Sequence, residues 1–230
     1  MAVIAILSTH AVEEVLYEFA PAFERASGAS LTIDYGPANA LKRRIEDGAT
    51  FDVAIVTRPV IDALAEQGKI VSESCTDIGR SGLGVAVRKG AAKPDMTNAD
   101  TFKRALLAAT SVARSKEGTS GIYFETLLTR LGIAEAVRGK IVLGGIGRIA
   151  ELVARGEASM AVQQIPELLP VSGTDFVGPL PAELQLYTMF SAGIGAAAKD
   201  HAAAKHFIDS LAAPDSSALF KAKGFEPVSR

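Results

Sequence analysis

From Val3 the chain reads VIAILSTHAVEEVLYEFAPAF. Five apolar residues stop at Ser8-Thr9, and then Val12, Val15, Leu16, Phe19 and Phe23 recur at helical spacing, with Glu13, Glu14 and Glu18 on the other side. The pattern predicts a buried strand that feeds a helix through a short turn. Leu31 to Tyr35 (LTIDY) repeats it: a strand, the turn Gly36-Pro37-Ala38-Asn39, and a helix carrying Leu41, Arg44 and Ile45 that Gly48 ends. Asp52 to Val56 is a third strand, followed by Thr57-Arg58-Pro59 and a helix from Val60 to Gln67 with Gly68 beyond it. Strands alternating with helices at these lengths predict an α/β fold whose sheets are mainly parallel and covered on both faces. In such sheets sites gather outside the carboxyl ends of the strands.

The rhythm breaks over Thr76 to Arg88, where GRSGLGVAVRKG carries four glycines, and resumes after a helix near Asp100 to Ala109. The break reads as a crossover into a second lobe. Ser111 to Arg114 is then a strand, Ser115 to Ser120 a polar turn, and Ile122 to Leu131 a helix. Lys140 to Leu143, the turn Gly144-Gly145-Ile146-Gly147 and a helix with Ile149, Leu152 and Val153 follow. Ser159 to Gln163 is a strand that leads through Gln164-Ile165-Pro166 into a short helix around Leu168. Phe176-Val177 and Leu184 to Phe190 read as further strands, the second as the return crossover. Helices from His201 to Leu211 and Ser216 to Lys223 close the chain.

Every such turn leaves first-turn backbone N–H groups without intrahelical partners. Ser8, Thr9 and Ser115 add hydroxyls beside them, and a helix start of this kind favours negative charge. Ser8 or Thr9 capping the helix is the purely structural alternative. Arg148, in the first turn after the glycine loop, is a partner for a carboxylate or oxyanion, or for an acidic neighbour.

With 230 residues and 48% hydrophobic composition, the chain can build one large or two small cores. The net charge of −2 and the lack of a Lys/Arg stripe argue against nucleic acid and anionic membranes as partners. No stretch approaches the roughly 18 apolar residues of a membrane span. The first strand begins two residues after Met1, which leaves no room for a secretory signal. The expectation is therefore a cytoplasmic protein as the sequence stands, or a periplasmic one if a leader has been removed. Cys75 is the only cysteine, so neither an intrachain disulfide nor a thiolate metal cluster can form.

Gly145-x-Gly147-x-x-Ala150 sits between strand and helix as a dinucleotide turn should, but the next strand ends in Gln163-Gln164 where that fingerprint needs an acid. A glycine turn that lets an anion approach the backbone is the better reading. His10, His201 and His206 are the only histidines and show no metal-ligand spacing, so neither a metal nor a cofactor is expected. Asp34 and Asp52 read as structural acceptors at strand ends.

The segments YGPANALKRRIEDGATFDVAIVT, KEGTSGIYFETLLTRLGI, GRIAELVARGEASMAV and ALFKAKGF, in this order behind the first strand, resemble the type II periplasmic binding fold, and within it the molybdate-binding (ModA-like) proteins. The resemblance implies two lobes, 1–82 with 191–230 and 83–190, joined by two crossover strands, with a small anion held in a cleft between them. It implies a ligand shell of Ser8, the Pro37-Ala38-Asn39 turn, Ser120, Gly147 and Gln164, to which the turn chemistry adds Thr9, Ser115 and Arg148. The sequence departs from the pattern at Pro37-Ala38-Asn39, where serines are usual, and at Gln164, where a tyrosine is expected. QQIPELLPVSGTDFVGPLPAELQ is also similar to a subgroup that aconitate isomerase resembles. That alternative implies a small di- or tricarboxylate, faced by Arg148 with Arg114 or Lys116, and a cofactor-independent isomerase with His10, Lys116 and Glu117 as acid and base. The implied partner is a small anion, with an ABC permease if the chain is exported.

Overall fold

Val3–Ser8 forms strand β1, and a single 3-10 turn, His10–Val12, separates it from helix α1, Glu13–Ser27, whose Val15, Leu16 and Phe23 are buried. The structure is a computed structural model that describes residues 2–145, 147–226 and 228. Met1 and Ile146, the latter part of the expected glycine turn, lie outside the described residues, as do Pro227, Ser229 and Arg230. The chain continues with β2 (Ser30–Tyr35), α2 (Ala38–Glu46), β3 (Val53–Thr57), α3 (Arg58–Glu66) and β4 (Thr76–Ser81). Next come β5 (Leu83–Arg88), α4 (Ala99–Ala108), β6 (Val112–Ser115), α5 (Thr119–Arg130), α6 (Ala134–Arg138) and β7 (Ile141–Gly144). Then follow α7 (Ala150–Ala154), β8 (Met160–Gln164), α8 (Ile165–Leu168), β9 (Thr174–Pro179), β10 (Thr188–Ile194), α9 (His201–Leu211) and α10 (Ser217–Ala222).

Two compact units result, Met1–Ser81 with Thr188–Arg230, and Gly82–Tyr187. The first holds a sheet of order β2-β1-β3-β10-β4 and the second one of order β7-β6-β8-β5-β9. In the first, β1 pairs parallel with β2 and β3, while β10 runs antiparallel to β3 and β4. In the second, β6 pairs parallel with β7 and β8, while β5 runs antiparallel to β8 and β9. Each sheet is thus mixed, with four strands pointing one way and a single reversed strand. The reversed strands are β5 and β10, the first that the chain forms after passing from one unit into the other.

Both faces of each sheet are covered, because successive strand residues point to opposite sides. On β3, Val53 and Ile55 pack into a core with α1 and α9, and Ala54 and Val56 into a second core with α2 and α3. In the other unit Val112 and Val162 face α4 and α5, while Ala86, Ala113 and Ala161 face α7. The alanines keep that second layer thin.

Two boundaries differ from the sequence pattern for reasons that can be named. Helix α5 begins at Thr119, a turn earlier than the apolar periodicity suggests, so Ser120 lies in its first turn. Gly121 permits this: a Cβ there would stand 2.0 Å from the Ser115 carbonyl oxygen. The apolar run Leu184 to Phe190 becomes strand only from Thr188. Ahead of it Ala182–Leu184 is a 3-10 turn. Gln185 then accepts from the Leu83 N–H at 2.7 Å and donates to the Leu83 carbonyl at 2.9 Å, so a side chain supplies the pairing that a strand backbone would.

Candidate functional site

The matching strand orders place matching turns at matching positions. β1, β2 and β3 end side by side in the first unit as β6, β7 and β8 do in the second. The Gly36 N–H donates to the Ser8 carbonyl at 3.0 Å, and the Thr9 N–H to the Ile55 carbonyl at 2.9 Å, which ties the three tips of the first unit together. In the second unit the Lys116 N–H reaches the Gly144 carbonyl at 3.2 Å, and the Gln163 side chain accepts from the Ile149 N–H at 2.9 Å.

At the first set of tips Ser8 and Thr9 are buried, and neither hydroxyl caps the turn that follows. The Ser8 hydroxyl donates to the Thr9 carbonyl at 3.2 Å, while Thr9 Oγ1 is buried with no hydrogen-bond partner. His10 Nδ1 lies 3.1 Å from Glu13 Oε2, and its ring stacks on Tyr35 with centroids 5.9 Å apart. His10 Nε2 is also buried and unpartnered. Pro37 is the residue from which α2 springs, and that start has no side-chain cap. Ala38, buried, and Asn39, half-buried, occupy its first turn. Arg58, at the tip of β3, is bound to Asp62 at 2.7 Å and Asp77 at 3.0 Å, and these bonds hold its guanidinium above its ordinary pKa.

At the second set, Ser115 ends β6 and is 8% exposed, and its Oγ has no partner. Ser120, 3% exposed, sits in the uncapped first turn of α5. Gly147 takes φ 107, a conformation that any residue with a Cβ adopts only at a cost. Arg148 follows it, half-buried, and Gln164 is buried at the end of β8. Lys116 and Glu117 are exposed on the turn itself.

Arg114 is engaged by protein groups through its two terminal nitrogens, while its Nε is buried without a partner among the described residues. Its guanidinium reaches Glu125 Oε2 at 3.0 Å, the Ser115 carbonyl at 3.1 Å and the Gly121 carbonyl at 3.4 Å, so it pins the start of α5 against β6. Two supporting residues escaped the sequence reading. Gln163 holds Ile149 and, at 3.4 Å, the Gly147 carbonyl; as an ordinary strand glutamine it gave no signal. Glu13 orients His10, and the i, i+3 spacing of the two was a legible cue.

Two helix starts elsewhere are treated differently. Asn98 caps α4 with a reciprocal pair of bonds to Thr101, and Asp200 caps α9 through the Ala203 N–H. Side-chain caps are absent at the strand tips, but they are absent also at α6 and α10, which follow no strand, so capping alone does not mark the tips.

The bacterial extracellular solute-binding protein family matches residues 4–226 of the chain. An aconitate isomerase of Pseudomonas sp is 32% identical over 231 residues, spanning 98% of this chain and 88% of its own. The molybdate-binding protein ModA of Azotobacter vinelandii is 28% identical over 220 residues, spanning 90% and 83%. The solved structure of the Azotobacter vinelandii periplasmic molybdate-binding protein superposes with a TM-score of 0.83 at 19% identity, over 98% of this chain and 100% of that one. Among the described residues, no helix is long and apolar enough to cross a membrane.

Proposed function

Because the chain belongs to the bacterial extracellular solute-binding proteins and is of ModA type, we propose that it captures a small anion, a molybdate-like oxyanion or a small carboxylate, with the hydroxyls and helix-start N–H groups at its strand tips. The observation that carries this is the Ser115 hydroxyl, buried without a partner against the uncapped start of α5. Thr9 supports it in the same way. A buried hydroxyl left unmade costs about 1–3 kcal/mol, so an acceptor that arrives with the ligand regains that energy.

Magnitude decides how many such groups the site needs. At about 2 kcal/mol per charge-assisted bond and about 4 kcal/mol of lost freedom at the least, a micromolar anion, worth about 8 kcal/mol, requires about six donors. One helix start cannot supply them. Each unit carries a set of such donors: Ser8 and Thr9 with the N–H groups around Ala38-Asn39 in the first, and Ser115 and Ser120 with those around Gly147 in the second. Arg148 adds charge if the cargo carries carboxylates.

Calorimetric titration with molybdate, tungstate, sulfate, citrate and cis-aconitate tests the proposal. At least one of these should bind with a dissociation constant of about 1 µM or below, and no heat from any of them refutes it. Delivery to an ABC permease is part of the same proposal and follows from the family's solute-binding role.

A second reading is turnover of the bound acid. The 32% identity to an aconitate isomerase across 98% of the chain favours it, and the candidate proton carriers are His10 in the first unit and Lys116 and Glu117 in the second. Proton NMR of cis-aconitate incubated with the protein should then show the double bond migrate. An unchanged spectrum leaves capture alone.

A further inference from the structure

The donors at the strand tips suit any oxyanion, but one buried group among them is of the other kind. His10 Nδ1 faces Glu13 Oε2 at 3.1 Å, and a carboxylate is an acceptor only. In the neutral ring that bond places the proton on Nδ1 and leaves Nε2 as a bare lone pair, the logic by which a partner on one nitrogen sets the role of the other. Nε2 is buried and meets no donor among the described residues. The Tyr35 ring, stacked 25° from parallel, fixes the plane in which that lone pair points. The adjoining Thr9 hydroxyl, also buried and unpartnered, offers the complementary donor.

We propose that His10, oriented by Glu13, is a specificity residue that accepts a hydrogen bond from an O–H group on the captured anion. The ligand class is then a small anion carrying both an oxyanion and a hydroxyl: a hydroxycarboxylate, or an oxyanion that retains a proton. Fully deprotonated tetrahedral anions present only acceptors and set lone pair against lone pair at Nε2. The inference rests on the anion-capture reading and narrows it.

Titration calorimetry on the full chain with two matched pairs tests it, citrate against tricarballylate and hydrogen phosphate against sulfate. The O–H member of at least one pair should bind about tenfold more tightly, the effect of leaving one buried acceptor unpaired. His10→Phe keeps a ring against Tyr35 but removes Nε2, and should bring that ratio to near one by weakening the O–H member alone. Nitrogen NMR of the unaltered, ligand-free protein gives a second readout that does not depend on a variant, since only three histidines occur; His10 should report the Nδ1–H tautomer. A ring protonated on both nitrogens, an equal loss for both members in His10→Phe, or tight molybdate binding with no response to citrate or phosphate overturns the inference while anion capture stands. Silence from every anion, molybdate included, defeats anion capture itself, and this inference with it.

Discussion

Gly121→Ala is the sharpest probe of how the second set of strand tips is built. The new methyl would meet the Ser115 carbonyl oxygen at 2.0 Å, the Ser115 Oγ at 2.6 Å and the Ser115 carbonyl carbon at 2.9 Å, where ordinary contact starts at 3.4 Å. Two of these three atoms are backbone, so no rotamer change relieves the clash and the first turn of α5 must lift away from β6. That movement stretches the Arg114 bond to the Gly121 carbonyl, already 3.4 Å long, and withdraws the helix start from the Ser115 hydroxyl. Contacts this short put the overpacking cost at the upper end of about 1–3 kcal/mol, against which alanine's better helix propensity returns at most about 1 kcal/mol, so stability should fall by about 2 kcal/mol. Gly139→Ala is the control in the same unit. Gly139 has φ −70, and a methyl added there would meet nothing within 4 Å, so alanine at this position should be neutral or gain about 0.4–1 kcal/mol by restricting the unfolded chain. Urea unfolding of the two variants measures both quantities, and calorimetry should show anion binding weakened in Gly121→Ala alone. A Gly121→Ala protein as stable as the unaltered chain, or a Gly139→Ala protein as damaged as Gly121→Ala, refutes the reasoning.

Other changes separate support from recognition. Ser115→Ala removes a hydroxyl that has no partner in the free protein, so urea stability should hold or rise slightly while affinity for the anion drops about tenfold or more. Gln163→Leu strands the Ile149 N–H, which lies in a buried core, and should cost about 1–3 kcal/mol in urea unfolding with a parallel loss of affinity; unchanged stability would show that the Gly147 turn holds itself. Burial pushes the Cys75 thiol pKa up. As pH rises, the unfolded chain therefore loses this proton before the native one does, and stability declines above the ordinary thiol range. The urea midpoint should fall as pH rises through and above about 8.5 more steeply in the unaltered protein than in Cys75→Ser, and equal slopes contradict the assignment.

The strand, turn and helix rhythm was legible because parallel strands buried on both faces leave uninterrupted apolar runs such as VAIV, and each run must be followed by a helix that returns the chain. Where the reading slipped, a local interaction outweighed periodicity. No apolar residue announces that α5 starts at Thr119; the start depends on Gly121 pressing against Ser115. The residues from Leu184 to Tyr187 are as apolar as a strand, but the Gln185 side chain takes the backbone bonds of Leu83 before a strand can. At the strand tips, Ser8 and Thr9 in one unit and Ser115 and Ser120 in the other could be picked out as hydroxyls at turns. The pairing of Arg114 with Glu125 could not, since ten residues and a helix start intervene.

The physical argument for a ligand at these tips is their buried, unpartnered hydroxyls, since missing caps alone do not single the tips out: α6 and α10 also start without a side-chain cap. An uncapped helix forgoes about 1 kcal/mol, and this chain has suitable residues: Asn98 and Asp200 cap α4 and α9. Yet the starts of α2, α3 and α5, each at the carboxyl end of a strand, have no side-chain cap, and Ser8 and Thr9, though placed to cap the first turn, do not. At the uncapped start of α10 the Ser216 hydroxyl still finds a protein partner, donating to the Ser210 carbonyl at 3.0 Å. By contrast, Thr9 Oγ1 and Ser115 Oγ are sequestered from every protein acceptor and donor among the described residues. A buried hydroxyl without a partner is unfavourable, and an anion that accepts from it when bound raises stability with the logarithm of its concentration once that exceeds the dissociation constant.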